Sequence, residues 1–176
     1  MADRVSGADV RIEPWTEGDL GLLRRVNTPV MKKHVGGPET EEQLLHRHRR
    51  YLDFVPAGKG CMFSIALLPD RTAVGTVGYG ERVWQQETVY EMGWNVLPPF
   101  QGRGIAAVAV AAALRRARAE GRHRHLHAFP SVDNPASNAV CRAAGFTLVG
   151  ECAFEFPPGS WMRSNDWRID LAAIED

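Results

Sequence analysis

The residues best suited to chemistry are Gln101-Gly102-Arg103-Gly104-Ile105-Ala106. A glycine-rich turn entering a helix leaves several backbone N–H groups unpaired and pointing one way. They stand at the positive end of the helix dipole, and such a turn takes phosphate. The stretch follows an alternating segment that ends at Pro98-Pro99 and precedes an alanine-rich one reaching Ala119. It lacks the Gly-Lys-Ser/Thr ending of a nucleoside-triphosphate loop. Gly102, Gly104 and Ala107 do fit the spacing G-x-G-x-x-A of a dinucleotide turn. That fingerprint opens the first strand–helix unit of its domain. Here it comes late, with too little chain following for a complete dinucleotide domain.

Other reactive side chains read more plainly. Cys61, Cys141 and Cys152 are odd in number and widely spaced, so neither a disulfide framework nor a zinc pair is expected. His125 and His127 share a strand face with Phe129 and read as structural imidazoles, without carboxylates or cysteines at metal-ligand spacing. His46-Arg47-His48-Arg49-Arg50 lies within a helical segment and reads mostly as a solvated face. If it borders an acceptor cleft, it favours acidic substrates. Tyr90, Trp161 and Trp167 read as core or interface material.

These residues need a scaffold, and the composition supports one. A chain of 176 residues suits a single domain over 1–176, with 44% hydrophobic and 24% charged residues, as in soluble globular proteins. The 21 basic and 21 acidic residues leave no net charge to steer the chain to nucleic acid or anionic membrane. There is no apolar leader over Met1–Ala8 and no apolar run of membrane-spanning length. The expectation is a soluble, cytoplasmic protein without nucleic-acid or membrane partners.

The hydrophobic period predicts the elements. Val10–Trp15 reads as a strand, and Thr16 caps a helix to about Asn27, with Asp19 as capping-box acid. Glu39–Val55 shows helical spacing at Leu44, Leu45, Tyr51, Leu52 and Val55. Met62–Leu68, Ala73–Val83 and Thr88–Leu97 read as an antiparallel meander. In the third strand Tyr90, Met92, Trp94 and Val96 share one face, and Val89, Glu91, Gly93 and Asn95 the other. Gly104–Glu120 is a helix ended by Gly121, and His125–Phe129 a strand parallel to the one before it. Asn134–Ala144 is a helix, and Thr147–Phe154 and Trp161–Leu171 are the last strands. The order β-α-α-β-β-β-α-β-α-β-β describes an α+β fold with one mixed α/β sheet.

Read as Q-x-x-G-x-A, Gln101–Ala106 resembles the acetyl-CoA signature of the GNAT N-acetyltransferases. Glu91-Met92-Gly93-Trp94 with Pro98 resembles the Rim-type branch, the ribosomal-protein N-terminal acetyltransferases. So do Asn134-Pro135-Ala136-Ser137 and Ala144-Gly145-Phe146, which match that branch's second motif. The element order is similar to the GNAT fold, and the resemblance spans residues 9 to 172.

The resemblance implies a splayed central strand pair with the pantetheine arm of acetyl-CoA lying in the gap. The arm would pair with backbone groups of Asn95, Val96 and Leu97, as a strand-adding ligand does. Backbone N–H groups from Gln101, Gly102, Arg103, Gly104, Ile105 and Ala106 would hold the pyrophosphate, with Arg103 adding charge. Asn134 and Ser137 would contact the arm, with Cys141 on the same wall, and no metal is implied. Asn134 is equally a good helix cap. The basic run Arg122-His123-Arg124-His125 would meet the adenosine phosphate end.

The implied reaction is direct attack of an amine on the thioester. Freeing a neutral amine at pH 7 costs roughly 4.6 kcal/mol for a lysine-type amine and roughly 1.4 for an α-amine. Glu91 is the candidate base, its pKa raised by burial among apolar neighbours; the alternative is a cross-strand ion pair. Many such enzymes protonate the leaving thiolate with a tyrosine four residues before the helix-ending glycine, where this chain has Cys141. Ser137 is the alternative donor, and Cys141 reads better as a small buried side chain. The acceptor is a protein N-terminus or a small amine, the Pro157-Pro158-Gly159-Ser160 loop walls its site, and a homodimer is compatible. A non-catalytic acyl-CoA sensor on the same fold is the alternative function.

Overall fold

The structure, a computed structural model, describes residues 5–174. Its sheet has seven strands: β1 (Val10–Pro14), β2 (Gly60–Leu67), β3 (Thr72–Trp84), β4 (Glu87–Val96), β5 (His125–Ala128), β6 (Thr147–Glu155) and β7 (Trp161–Asp170), in the order β1-β2-β3-β4-β5-β7-β6. The helices are α1 (Leu20–Val26), α2 (Pro29–Lys32), α3 (Glu41–Asp53), α4 (Ile105–Glu120) and α5 (Pro135–Ala143). The α2 turn departs from the expected order. Thr28-Pro29 reads as a stop, yet Thr28 Oγ1 accepts from Met31 N at 3.3 Å and Pro29 stands at the first helical position. Proline is tolerated there because that N–H has no intrahelical acceptor. Asp19 accepts from both the N–H and the hydroxyl of Thr16, as expected of the cap, but a 3-10 turn over Glu17–Asp19 precedes α1.

Two apolar layers sandwich the sheet. On one face Ala109, Ala113 and Ala117, spaced four apart and fully buried, let α4 lie close against Val77, Tyr79, Tyr90 and Met92. On the other face Leu22, Leu23, Val26 and Leu44 from α1 and α3 pack with Trp15, Met62 and Leu97. Trp167 and Tyr90 are core as expected, whereas Trp161 is 66% exposed.

The sheet opens at its centre. β3 and β4 keep register without a break from Trp84↔Glu87 to Gly75↔Val96. β4 and β5 pair in parallel only at Tyr90↔Leu126 and Glu91↔His127. Beyond Ala128 the chain stays with β7: Asn165 N donates to Pro130 O at 2.9 Å and Val132 N to Arg163 O at 3.1 Å. Pro130 has no N–H to offer β4. The expected splayed pair is therefore present, and the gap widens toward the residue 101–106 turn.

Candidate functional site

The turn and the helix start form the first wall. Gly102 and Gly104 adopt φ of 76° and 82°, left-handed values that other residues rarely take, and a Cβ at either would meet no protein atom within 4 Å. Among the described residues, no backbone carbonyl accepts from the N–H groups of Gly102 through Ala106. These donors open the 16-residue α4, at the positive end of its dipole, the arrangement a phosphate needs. Buried Ile105 anchors the helix start, and half-buried Arg103 accepts from Val5 N through its carbonyl at 3.1 Å. Gln101 has a structural part: its Nε2 donates to Val96 O at 2.8 Å and its N to Pro98 O at 3.2 Å.

The strand side of the gap differs from expectation in which residues offer their backbone. Leu97 N–H donates to Val74 O at 2.8 Å, so Leu97 faces β3. Direction alternates along an antiparallel ladder. Asn95, opposite Thr76, thus also spends its backbone on β3, and its Nδ2 donates to Thr76 Oγ1 at 3.2 Å. The residues whose backbone turns toward the gap are Met92, Trp94 and Val96, with Val96 O already accepting from Gln101 Nε2.

Helix α5 forms the opposite wall. Asn134 caps it, Oδ1 accepting from Ser137 N at 3.1 Å. Ser137 is half-buried on the first turn. Cys141, one turn on, is fully buried and its thiol is pushed up to about 12 by burial, so it presents no surface to a ligand here. Native Cys141 is accordingly expected to resist iodoacetamide at pH 8 and to react once urea unfolds the chain; rapid alkylation in the native state, read by peptide mass, would contradict its burial.

A residue the sequence reading missed holds this helix. Buried Asn138 donates from Nδ2 to Ser131 O and Asn134 O at 2.9 and 2.8 Å. Its Oδ1 accepts from Asn165 Nδ2 and Trp167 Nε1, both at 2.8 Å. The only sequence signal was a polar residue on the inner face of an amphipathic helix.

The floor on the α1–α3 face of the sheet carries Glu91. Contrary to the expected apolar burial, Glu91 is half-buried and pairs with Arg82, Nη1 to Oε2 at 2.9 Å. Arg82 lies over the Phe154 ring, 4.2 Å from its centroid. The partner comes from β3 because Gly80 faces Glu91 and Arg82 stands two residues on, on the same face. Beyond Glu91, Gly93 is exposed and a Cβ there would meet nothing, so the floor is open. Arg47 lies over the Phe156 ring at 5.5 Å, and a side chain at Gly36 would strike Pro157. The loop from Pro157 to Ser160 thus abuts the α2–α3 region.

The basic runs stand away from the residue 101–106 turn. Arg122 to His125 follows the C-terminus of α4, about 24 Å of helix from the turn. Its members are spent locally: Arg122 on Gly58 O, His123 on Glu81, Arg124 on Asp170 and His125 on Glu87. Arg47 pairs with Glu39, and buried His48 accepts from Trp15 Nε1, while His46, Arg49 and Arg50 are the solvated face. Among the described residues no cluster of His, Cys, Asp or Glu could hold a metal ion.

Residues 9–147 match a family model described as an acetyltransferase (GNAT) domain. No curated protein matches the chain. Solved structures share its fold at low identity. RimL, a ribosomal L7/L12 α-N-protein acetyltransferase in complex with coenzyme A, aligns with a TM-score of 0.77 at 19% identity, over 94% of this chain and 96% of that one. Mycobacterium smegmatis RimJ in complex with CoA-disulfide aligns at 0.76 and 20%, over 98% and 87%. Spermidine N-acetyltransferase from Vibrio cholerae, in complex with CoA and spermine, aligns at 0.75 and 16%, over 94% and 97%.

Proposed function

We infer the reaction of this chain from the family to which it belongs: it is a GNAT acetyltransferase, taking an acetyl group from acetyl-CoA and passing it to a primary amine. The observation that carries this reading is the gap between β4 and β5 ending at a glycine turn with unshared N–H donors. Gly102 to Ala106 hold the pyrophosphate, and the gap-facing backbone of Val96, Trp94 and Met92 pairs with the extended arm. Ser137, the half-buried hydroxyl of α5, supplies the proton to the departing thiolate.

Glu91 keeps a place in the site as the group that receives the amine. Arg82 takes Oε2, and among the described residues nothing bonds Oε1, which leaves one acceptor for an ammonium N–H. Both a protein N-terminus and a small polyamine are chemically suited as acceptors, since each ends in a cation of this kind. RimL, a ribosomal-protein acetyltransferase, and the spermidine N-acetyltransferase, one for each type of acceptor, support this range. The site of action is the cytoplasm, a reading supported by three free cysteines.

The test is thiol release from acetyl-CoA across a panel of a serine-initiated peptide, spermidine and free amino acids. Glu91→Gln is expected to raise KM for the amine about tenfold, the worth of one charge-assisted hydrogen bond, and to leave CoA affinity unchanged. An unaltered KM would remove Glu91 from the site. Thiol release from no member of the panel, with CoA bound, would favour the acyl-CoA sensor instead.

A further inference from the structure

We propose that His127, oriented by Asp166, is the base that takes the proton from the amine. The proposal rests on the acetyltransferase reading above and adds to it a residue that sequence reasoning took as structural.

His127 occupies the last register pair before the sheet opens, opposite Glu91. Residues paired across parallel strands project to the same face, so His127 and Glu91 stand side by side beneath the open part of the floor, Glu91 half-buried and His127 5% exposed. The distance along β4 from Val96 back to Glu91 is about 16 Å. An extended arm lying in the gap must end there, because β4 and β5 are hydrogen-bonded beyond that point. The acetyl terminus would thus reach the vertex, where His127 stands.

The chemistry of the histidine is set by its partners. Nδ1 lies 2.6 Å from Asp166 Oδ1, and both side chains are buried. The other oxygen, Oδ2, accepts from Trp84 Nε1 at 3.1 Å, which locks the carboxylate. Phe129 stacks on the imidazole with centroids 5.7 Å apart. A carboxylate at Nδ1 holds the proton on that nitrogen and leaves the lone pair on Nε2. Among the described residues Nε2 bonds nothing. Unlike Arg82 Nε and Ser164 Oγ, it is also not sealed from solvent.

The step balances as follows. The ammonium gives one proton to Nε2, which returns it to solvent. The neutral amine attacks the carbonyl carbon and the C–N bond forms. As the C–S bond breaks, the remaining surplus amine proton passes to the sulfur by way of Ser137. The titratable or charged groups around His127 are Asp166 and Arg168 on β7, Glu91 on β4, Arg82 on β3, Cys152 on β6 and His125 on its own strand.

Two measurements test the proposal. Nitrogen-15 NMR of the whole wild-type protein at pH 8 should show His127 as the Nδ1–H tautomer, with an Nε2 resonance that shifts when acetyl-CoA is added. The Nε2–H tautomer, or no response to acetyl-CoA that calorimetry shows to be bound, would overturn it. In His127→Gln, thiol release with the best amine of the panel should fall about 100-fold or more with CoA affinity kept, and the acid limb of the kcat/KM profile should disappear. An unchanged rate and profile would also overturn it. Failure of the wild-type protein to bind CoA would instead overturn the acetyltransferase reading itself.

Discussion

Gly104→Val is expected to weaken CoA binding by about 100-fold or more while leaving a folded protein. Two causes act together. A branched side chain would occupy the space in front of the α4 N-terminus, where a Cβ now meets no protein atom. Losing one or two charge-assisted hydrogen bonds to phosphate costs about 3 kcal/mol, which is the stated factor. The second cause is conformational: φ at this position is 82°. A β-branched residue there costs about 1–3 kcal/mol of folding stability, which a domain of ordinary stability survives. Gly104→Asn separates the two, because asparagine tolerates the left-handed region yet still fills the cradle. Calorimetry with CoA should find both variants weak and only the valine variant clearly destabilised. Wild-type affinity in Gly104→Val would remove the phosphate site from this turn.

Asn138→Ala is expected to destabilise the protein by about 3 kcal/mol. The substitution removes four hydrogen bonds at once; the Ser131 and Asn134 carbonyls keep a backbone donor each, whereas the Asn165 amide and the buried Trp167 indole N–H are left without their acceptor. Each group left without a partner costs about 1–3 kcal/mol, less whatever water recovers. The urea midpoint should fall with the slope of the transition unchanged. Because the same side chain ties α5 to β7, Ser137 loses its fixed position, and thiol release should fall further than CoA affinity. A loss of under about 1 kcal/mol would show that the network is not cooperative.

Much of the site was legible because its signals are local. The turn at residues 101–106 is written in glycines that permit positive φ and in an alanine run that permits close helix packing, and both lie within twenty residues. The Asn134 cap is equally local, reaching three residues. The alternation along β4 placed Tyr90 and Met92 in the core and Glu91 on the other face, as found. What misled was the surroundings of those faces. Glu91 was expected among apolar neighbours with a cross-strand ion pair as the alternative, and the hairpin forms that alternative by bringing Arg82 to it. Asn95 and Leu97 were expected to offer their backbone, but one hydrogen bond, Leu97 to Val74, sets the alternation against them.

Most elements, the glycine turn and the family could be read from the residues alone, since period, capping and glycine placement act over a few residues of contiguous chain. What each polar side chain faces is set by contacts between distant segments. The pairing of His127 with Asp166 spans 39 residues and that of Trp84 with Asp166 spans 82. The gap itself exists because the chain after Ala128 follows β7 rather than β4. Local propensity is blind to such choices. They are settled when strands distant in sequence compete for the same backbone partners, and the hydrogen-bond pattern that wins leaves the loser's edge open.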